Sequence, residues 1–307
     1  MQLIRTLPTH ADAATAVAIG NFDGLHIGHQ AVLARMMLAA ADAQIVPSVL
    51  TFEPHPRAFF APHAPHFRLK RLADKLRLLR RAGVARVYMP RFNAAFAAHS
   101  AEDFLQEILA RRMGAKVVVT GEDFAFGKNR GGDAAMLRAW GAAHGVTVIT
   151  VPGVMVEGVA CSSSAIRHAI GHGDMAVATA LLGRAYNLSG RVVHGDGRGA
   201  ELGFATANVA LAPGLKLPAH GVYAVRAVLR GSVHDAVANL GVRPTVAHGA
   251  AASLEVHLFD MAGAMYGERM EVQFVQKIRA EQKFDSLAAL TAQIAQDCDK
   301  AKQILLG

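Results

Sequence analysis

The first half of the chain repeats one pattern: a short apolar run followed by a stretch with helical periodicity. The runs TAVAIG, QIVPSVLTF, ARVYMP, AKVVVTG and VTVITV each alternate with a segment in which apolar residues recur every three or four positions. Runs that are apolar on both faces are typical of buried strands in a parallel sheet, with the helices as crossovers. The pattern predicts an α/β domain whose ligands bind beyond the carboxyl ends of the strands.

From about residue 187 the pattern changes to short alternating runs separated by turn residues. GVYAVRAVLRG, HDAVANLGVRP and ERMEVQFVQKIR follow one another without a helical segment between them. Such runs predict an antiparallel β-barrel, and SLAALTAQIAQDCDKAKQILL predicts a closing helix. We therefore expect two domains: residues 1–185 with a Rossmann-like parallel sheet, and residues 186–307 with the barrel and helix.

Composition narrows the class of protein. Hydrophobic residues make up 52% of the chain and charged residues 18%, which is typical of a globular protein. We find no signal peptide and no run that fits a membrane span, and the two cysteines suggest neither a disulfide framework nor a metal knuckle. These observations predict a cytoplasmic protein that does not contact a membrane. For the oligomeric state we expect a monomer or a weak homo-oligomer, which none of these observations determines.

The net charge of +8 favours an anionic partner such as nucleic acid or a polyphosphate. A nucleic-acid-binding protein is one alternative, but aromatic residues are only 6% of the chain and no binding motif is present, so we expect no nucleic-acid partner. The densest basic cluster, RLKRLADKLRLLRR, has leucines at helical spacing, and we interpret it as the solvated face of an amphipathic helix.

GNFDGLHIGHQ, residues 20–30, follows the first strongly apolar run and precedes a helical segment. Its glycines allow a tight turn, and the following helix offers backbone N–H groups to an anion. His26 and His29 would then hydrogen-bond phosphate and stabilise charge that develops in phosphoryl or nucleotidyl transfer. The alternatives are a zinc site, for which no third ligand stands at a suggestive spacing, and a pair of structural histidines.

SSSAIR, residues 162–167, offers three hydroxyls and an arginine at the start of a second helical segment. These groups cap a helix in many proteins, and they also bind phosphate. Together with HIGH the motif favours a nucleotide as the ligand.

GNFDGLHIGH and SSSAIR resemble the motifs of the nucleotidyltransferase superfamily, and TFEPHPR (residues 51–57) with GEDFAFG (residues 121–127) resembles the FMN adenylyltransferase domain of bacterial bifunctional riboflavin kinase/FAD synthetase. The resemblance implies that His26 and His29 stabilise the ATP α-phosphate while the FMN phosphate attacks, assisted by Mg²⁺. It implies ATP binding by Phe22, Asp23, Gly24, Ser162, Ser163, Ser164 and Arg167. It implies flavin binding by Pro54, His55, Pro56, Arg57, Asp123, Phe124 and Phe126.

The resemblance continues through the second half, where GRVVHGDGRGAELGFATANVAL is similar to the riboflavin kinase loop. It implies that Thr206 and Asn208 hold Mg²⁺ and ATP phosphate and that Glu255 takes the proton from the ribityl hydroxyl of riboflavin. It further implies ATP binding by Gly195 and Gly203, and flavin binding by Arg279 and Phe284. The implied activity converts riboflavin and ATP into FMN, and FMN and ATP into FAD.

The chain departs from the family motifs at four positions. Ala205 stands where the PTAN-type segment has proline, and Ala200 replaces a basic residue. Since Thr206, Asn208 and Glu255 remain, we expect kinase activity to persist with weaker ATP binding. Ser164 and Ala165, in place of threonine and arginine, are mild changes.

Two further alternatives for the function are a nucleotidyltransferase with another acceptor and a flavin-binding regulator without catalytic activity.

Overall fold

The computed structural model describes residues 1–63, 67–195, 203–245, 249–259, 261, 263 and 265–306, of which 243–245 and 249–251 are described by backbone only. The chain forms two compact units. Unit 1 comprises Met1–Pro65 and Lys70–Ser162, and unit 2 comprises His66–Leu69 and Ser163–Gly307. This division differs from the predicted one at 185/186, because two helices before that boundary belong to unit 2.

Unit 1 contains the parallel sheet that the alternating pattern predicts. Its six strands are β1 (Gln2–Ile4), β2 (Thr15–Ile19), β3 (Val46–Leu50), β4 (Arg86–Tyr88), β5 (Ala115–Gly121) and β8 (Thr147–Val151). Two short ribbons pair β6 (Ala125–Phe126) with β7 (Gly132–Asp133), and β9 (Met155–Val156) with β10 (Val159–Ala160). The sheet order is β1-β4-β3-β2-β5-β8, so the chain reverses its direction across the sheet between β2 and β5. Ligands of open parallel sheets bind at such a reversal, and HIGH follows β2.

Helices cover both faces of this sheet. They are α1 (Ile27–Asp42), α2 (Pro56–Phe60), α3 (Leu72–Arg81), α4 (Ala94–Ala97), α5 (Ala101–Asp103) with its π-helical continuation Phe104–Arg112, a 3₁₀ turn at Lys128–Arg130, and α6 (Ala134–His144). Along β2, Ala16 and Ala18 join the core beneath α1 and α3, whereas Val17 and Ile19 join the core beneath the π-helix and α6. This alternation makes β2 buried on both faces.

Unit 2 is a closed antiparallel barrel, which confirms the predicted class. Its strands are β11 (Tyr186–Val193), β12 (Ala207–Ala210), β13 (Gly221–Leu229), β14 (Ser232–Thr245), β15 (Gly249–Leu258) and β16 (Arg269–Arg279), in the order β11-β12-β15-β14-β13-β16. Pairing of β11 with β16 closes the ring. The closing helix α9 (Leu287–Leu306) packs on β13 and β14 through Cys298, Ala301 and Leu305.

Three further segments belong to unit 2. Helix α7 (Ser163–His172) packs against α8 (Met175–Leu182), and α8 contacts β11 and β16. Residues 67–69 form the third segment, since Arg68 pairs with Leu215 and its backbone N–H donates to the Gly214 carbonyl. The alternation of strands and helices therefore ends at α6 and β8, and the last two helices before the barrel pack with the barrel.

The basic cluster before and within α3 is only partly a solvated face. Arg77, Arg80 and Arg81 are exposed, as predicted. Lys70 and Lys75 are buried, so for these two residues the prediction is wrong. The Lys75 ammonium reaches hydrogen-bond partners, which compensate its burial, and the Lys70 backbone nitrogen lies within hydrogen-bond distance of Asp23.

Candidate functional site

The turn between β2 and α1 carries both histidines of HIGH. His26 caps the amino end of α1, and its Nδ1 accepts a hydrogen bond from the His29 backbone N–H at 3.3 Å. The two imidazole rings are stacked, with centroids 3.6 Å apart and planes 24° from parallel. The pair therefore lies at the amino end of a 16-residue helix, where backbone N–H groups and the helix dipole favour an anion.

The backbone that leads into His26 is strained. Phe22 and Leu25 have φ values of 48° and 42°, and Gly24 between them has 86°. A side chain makes this left-handed region unfavourable, and such residues cluster at functional turns. The Phe22 ring is fully buried and its centroid lies 5.1 Å from that of His29, so the ring supports the histidine from the core side.

Gly28 and Cys161 both approach the His26 ring. A Cβ at Gly28 would lie 3.2 Å from His26 Nδ1, which is closer than ordinary van der Waals contact. The Cys161 Sγ lies 3.5 Å from the same nitrogen. Ser162 follows Cys161 in the chain, so the first serine of SSSAIR is adjacent to a residue that touches His26.

The rest of SSSAIR lies in unit 2. Helix α7 begins at Ser163 and includes Ser164 and Arg167. The Arg167 Nε donates to the Phe67 carbonyl at 2.7 Å, and its guanidinium carbon lies 5.5 Å from the centre of the Phe67 ring. Arg167 is thus oriented by Phe67, a contact that the motif alone could not predict.

The TFEPHPR segment forms a short capped helix after β3. His55 caps α2, because its Nδ1 accepts from the Arg57 backbone N–H at 3.1 Å, and Pro56 is the first helical residue. The Glu53–Pro54 peptide bond is cis. The Arg57 side chain is exposed, so it is accessible to a ligand.

A cluster of phenylalanines beside this segment was missed by motif reasoning. Its rings contact one another with centroids 5.2–5.9 Å apart. Phe60 is 69% exposed, and the other four are partly buried. The cluster consists of Phe52, Phe59, Phe60, Phe92 and Phe96. The signal that could have found it is the recurrence of aromatics after two neighbouring strands, since FEPHPRAFF follows β3 and RFNAAF follows β4.

The three residues of GEDFAFG that are predicted to bind flavin differ in their burial. Phe126 is buried and contacts Phe104, with ring centroids 5.3 Å apart. Phe124 is partly buried and stacks on Phe126, whereas Asp123 is exposed. Asp123 and Phe124 are therefore the accessible members of this set.

In the barrel, the structure brings Asn208 and Glu255 together. They are direct partners on the antiparallel strands β12 and β15. Side chains at such positions lie on the same face of the sheet, with Cβ atoms about 4.5–5.5 Å apart. The Ser253 hydroxyl donates to Glu255 Oε1 at 3.3 Å, and Thr206 lies two residues before Asn208.

Gly195 follows β11, the strand that pairs with β12, and lies against the Asn208 side chain. A Cβ at Gly195 would lie 2.1 Å from Asn208 Nδ2, so only glycine fits beside this amide. Gly203 is exposed and has φ of 85°, which glycine adopts without strain. Ala205, where proline was expected, accepts a hydrogen bond on its carbonyl from His257 Nδ1 at 2.8 Å. Ala200 lies outside the described residues.

Arg279 and Phe284 also lie close together. The Arg279 guanidinium carbon is 5.7 Å from the centre of the Phe284 ring. The same guanidinium forms a bidentate ion pair with the buried Asp297, at 2.7 to 3.0 Å. Arg279 is thus fixed by α9, and Phe284 stacks against it.

Two buried lysines lie beside the HIGH turn. Lys75 Nζ lies 3.1 Å from the Asn21 carbonyl oxygen and 3.0 Å from Thr51 Oγ1. The backbone nitrogen of Lys70 lies 3.4 Å from Oδ1 of the buried Asp23. Sequence reasoning missed both, because lysines in a basic cluster are normally solvated.

Neither a clustered metal site nor a membrane-spanning helix is found among the described residues. These residues contain no group of three His, Cys, Asp or Glu side chains placed to hold a metal ion. Across the same ranges, none of the helices combines the length and hydropathy that crossing a bilayer requires.

Comparison with known proteins assigns a family to each half. The FAD synthetase family matches residues 9–165, and the riboflavin kinase family matches residues 182–305. The chain is 40% identical to a bifunctional riboflavin kinase/FMN adenylyltransferase of Haemophilus influenzae, covering 98% of each chain. It is 41% identical to the protein of that name from Escherichia coli, over 97% of this chain and 96% of the other.

Similarity extends to more distant relatives and to a solved structure. The protein of the same name from Bacillus subtilis is 34% identical, over 94% of this chain and 92% of the other. A crystal structure named as a macrolide-efflux protein from Streptococcus pneumoniae has a TM-score of 0.90 at 32% identity, and it covers 98% of this chain and 99% of that one.

Proposed function

The chain belongs to the family of bifunctional riboflavin kinases/FMN adenylyltransferases, and we propose that the HIGH turn carries its adenylyl transfer while Asn208 and Glu255 carry its phosphoryl transfer. The enzyme phosphorylates riboflavin with ATP to FMN, and it adenylylates FMN with ATP to FAD and pyrophosphate. The observation that carries the assignment is that the histidine pair of the HIGH turn and the Asn208–Glu255 pair lie in different compact units. Each reaction then has its own group of side chains.

Adenylyl transfer needs charge stabilisation more than a base. The nucleophile is an FMN phosphate oxygen, which is already anionic. It forms a bond to the α-phosphorus of ATP, while the bond from that phosphorus to the bridging oxygen breaks and its electron pair leaves with pyrophosphate. His26, His29 and the amino end of α1 stabilise the negative charge on the α-phosphate oxygens during this step.

Two further motif segments are proposed to hold the nucleotide. The turn residues Phe22, Asp23 and Gly24 border it, with Phe22 acting through the backbone because its ring is buried. The serine hydroxyls and the guanidinium of SSSAIR bind the ATP phosphates: Ser162, Ser163, Ser164 and Arg167. Charge-assisted hydrogen bonds of this kind are the stronger ones.

The flavin of FMN is proposed to bind beside β3 and β5. The exposed Phe60 and its cluster offer aromatic faces for a planar ring, next to Pro54, His55, Pro56 and Arg57. From the other loop, Asp123 and Phe124 complete the set. Phe126 supports it from the core, because it stacks on Phe124.

Phosphoryl transfer differs because its nucleophile carries a proton. Glu255 takes the proton of the ribityl hydroxyl as the oxygen attacks the γ-phosphorus of ATP, and ADP leaves. The hydroxyl of Thr206 and the amide oxygen of Asn208 are hard donors that suit Mg²⁺. When bound, Mg²⁺ would neutralise charge on the ATP phosphates. Gly195 and Gly203 allow the backbone to approach those phosphates, and Arg279 and Phe284 border the riboflavin.

A product assay tests the assignment. The full-length protein, His29→Ala and Glu255→Gln are each incubated with riboflavin, ATP and Mg²⁺, and the flavins are separated by chromatography. We expect His29→Ala to accumulate FMN without FAD. We expect Glu255→Gln to leave riboflavin unconverted yet to form FAD from supplied FMN. Loss of both steps in either folded variant would contradict the assignment, and failure of FMN as a substrate would favour an adenylyltransferase with another acceptor.

Three expectations from the sequence accompany this proposal. We propose a monomer or weak homo-oligomer, a cytoplasmic location and no nucleic-acid partner. Salt-dependent binding to single-stranded or duplex DNA would contradict the last.

A further inference from the structure

Lys75 occupies a position where an apolar residue would be expected. It lies on the inner face of α3, where Leu79 is also buried. The Lys75 side chain is only 8% exposed. Burial of an ammonium group is unfavourable unless hydrogen bonds compensate it, so a methionine or leucine would suit this helix face better. A charged side chain at a buried position where packing favours an apolar one indicates a role beyond packing.

The ammonium group closes a small buried network, which we call the lysine triangle: Lys75, Thr51 and the Asn21 carbonyl. Nζ lies 3.1 Å from the Asn21 oxygen and 3.0 Å from Thr51 Oγ1. Thr51 Oγ1 in turn donates to the Asn21 oxygen at 3.2 Å, and Thr51 is fully buried. Each member of the triangle therefore contacts both others.

The triangle joins the carboxyl ends of two neighbouring strands. Asn21 follows β2 and leads into the HIGH turn, whereas Thr51 is the first residue after β3 and leads into the flavin segment. Lys75 thus fixes the spacing between the segment proposed to hold ATP and the segment proposed to hold FMN.

The triangle also holds one end of the strained turn. Asn21 immediately precedes Phe22, the first residue with positive φ, and the Leu25 carbonyl at the other end accepts from Gln30 Nε2 at 3.0 Å. Strained backbone persists only where its surroundings fix it. Between these two anchors the chain turns and delivers His26 to the start of α1.

We infer that Lys75 is a positioning residue for adenylyl transfer: its buried ammonium holds the Asn21 carbonyl and thereby keeps the strained turn in the geometry that presents His26 and His29 to the ATP α-phosphate. The inference rests on the proposed function of the HIGH turn. It concerns only unit 1, so the riboflavin kinase reaction is an internal control within the same chain.

The test uses full-length Lys75→Met, which keeps the stem and removes the donors, with Arg80→Met as a control on the exposed side of the same helix. We expect Lys75→Met to lower kcat for FMN adenylylation about 10- to 100-fold, the size of effect that a displaced catalytic group produces. The KM for ATP should change much less, and phosphorylation of riboflavin should stay at the wild-type rate. Arg80→Met should match the wild type in both reactions.

A rescue experiment separates positioning from simple loss of stability. In Lys75→Ala, added n-propylammonium or n-butylammonium should restore part of the adenylylation rate in a concentration-dependent way, whereas tetramethylammonium, which has no N–H, should not. Should Lys75→Met fail to fold, Thr51→Val removes a second corner of the triangle and is expected to show the same selective loss.

Adenylylation at the wild-type rate in folded Lys75→Met would overturn the inference and leave the proposed function standing. Equal rescue by tetramethylammonium would also overturn it. Absence of FMN adenylylation in both the wild type and Arg80→Met would instead refute the proposed function.

Discussion

Asn208 and Glu255 lie directly opposite each other on adjacent strands of the barrel. The amide proposed to hold Mg·ATP therefore stands beside the carboxylate proposed to take the proton of the attacking hydroxyl. Because both are fixed by strand pairing, their spacing depends on backbone geometry more than on loop conformation. The order of the barrel strands thus becomes a determinant of the phosphoryl-transfer geometry.

Gly195→Ala should impair the kinase reaction. The added methyl would lie 2.1 Å from Asn208 Nδ2, so the amide must move. We expect phosphorylation of riboflavin to fall about 10- to 100-fold, while FMN adenylylation is unchanged. Rates of both reactions on the purified full-length variant check this.

The control for Gly195→Ala is a double mutant. If the glycine acts through the amide, Asn208→Ala and the double variant should lose similar activity, since effects within one interaction are not additive. Independent, multiplying losses would contradict the contact as the cause.

Gly28→Ala should slow FMN adenylylation without lowering the stability of the protein. The methyl would lie 3.2 Å from His26 Nδ1 and push the ring from its place, whereas alanine in a helix is up to about 1 kcal/mol more favourable than glycine. We therefore expect slower FMN adenylylation, by about tenfold, in a protein that is at least as stable as the wild type.

Gly153→Ala is the matched control, because a Cβ there meets no atom within 4 Å. It should leave both reactions at the wild-type rate. A Gly28→Ala variant that is fully active, or one that is destabilised, would argue against the steric explanation.

Arg279→Met should destabilise the barrel strongly. It leaves the Asp297 carboxylate, whose side chain is 5% exposed, without its bidentate partner. Breaking a buried ion pair from one side costs about 3–5 kcal/mol in the free energy of unfolding. Urea denaturation of the full-length protein measures the change.

Arg230→Met is the comparison, since its ion pair with Glu268 is solvent-exposed and such pairs contribute about 0–1 kcal/mol. Replacing both Arg279 and Asp297 with apolar residues should recover much of the lost stability. An equal effect of Arg279→Met and Arg230→Met would contradict the structural assignment of Arg279.

Alkylation of the cysteine thiols should inhibit FMN adenylylation but not riboflavin phosphorylation. Burial raises the pKa of the Cys298 thiol to about 11, so at pH 8 only about one molecule in a thousand carries the reactive thiolate there. Cys161 is half-buried, and iodoacetamide at pH 8 should modify it first. Because its Sγ lies 3.5 Å from His26 Nδ1, the modified enzyme should lose FMN adenylylation and retain riboflavin phosphorylation.

Mass spectrometry of the alkylated protein identifies the modified cysteine. Cys161→Ser should show no loss of activity on treatment, relative to its own untreated sample. Equal loss of both reactions in the wild type, or modification of Cys298 first, would contradict this prediction.

The periodic features of the chain are those that the sequence predicts well. Continuous apolar runs such as TAVAI and AKVVVTG indicate strands that are buried on both faces, and short alternating runs bounded by turn residues indicate the barrel strands. Both architectures therefore follow from the hydrophobic pattern and the turn residues. The position of His26 and His29 also follows, because a strand-to-helix turn places its residues at the end of the sheet.

Features that depend on tertiary contact were not predictable. Positive φ at Phe22 and Leu25 has no signature in residue type, since large side chains normally avoid this region. The burial of Lys75 depends on a carbonyl and a hydroxyl from two distant loops. Helical spacing places position 75 on the same face as Leu79, but a lysine in a basic cluster is by its type assigned to solvent. The packing of α7 and α8 with the barrel likewise depends on contacts far along the chain.

The pairing of residues 67–69 with residues 214–216 has a consequence for dissecting the enzyme. The chain passes into unit 2, returns to unit 1 and then passes into unit 2 again, so no single cut divides it into its two compact units. A fragment that starts at residue 163 lacks the segment that pairs with residues 214–216 and the Phe67 carbonyl that orients Arg167, and one that starts at residue 186 also lacks α7 and α8. The two halves of the chain therefore do not correspond to its two compact units. A gene fusion that uses only the second half should also supply residues 67–69.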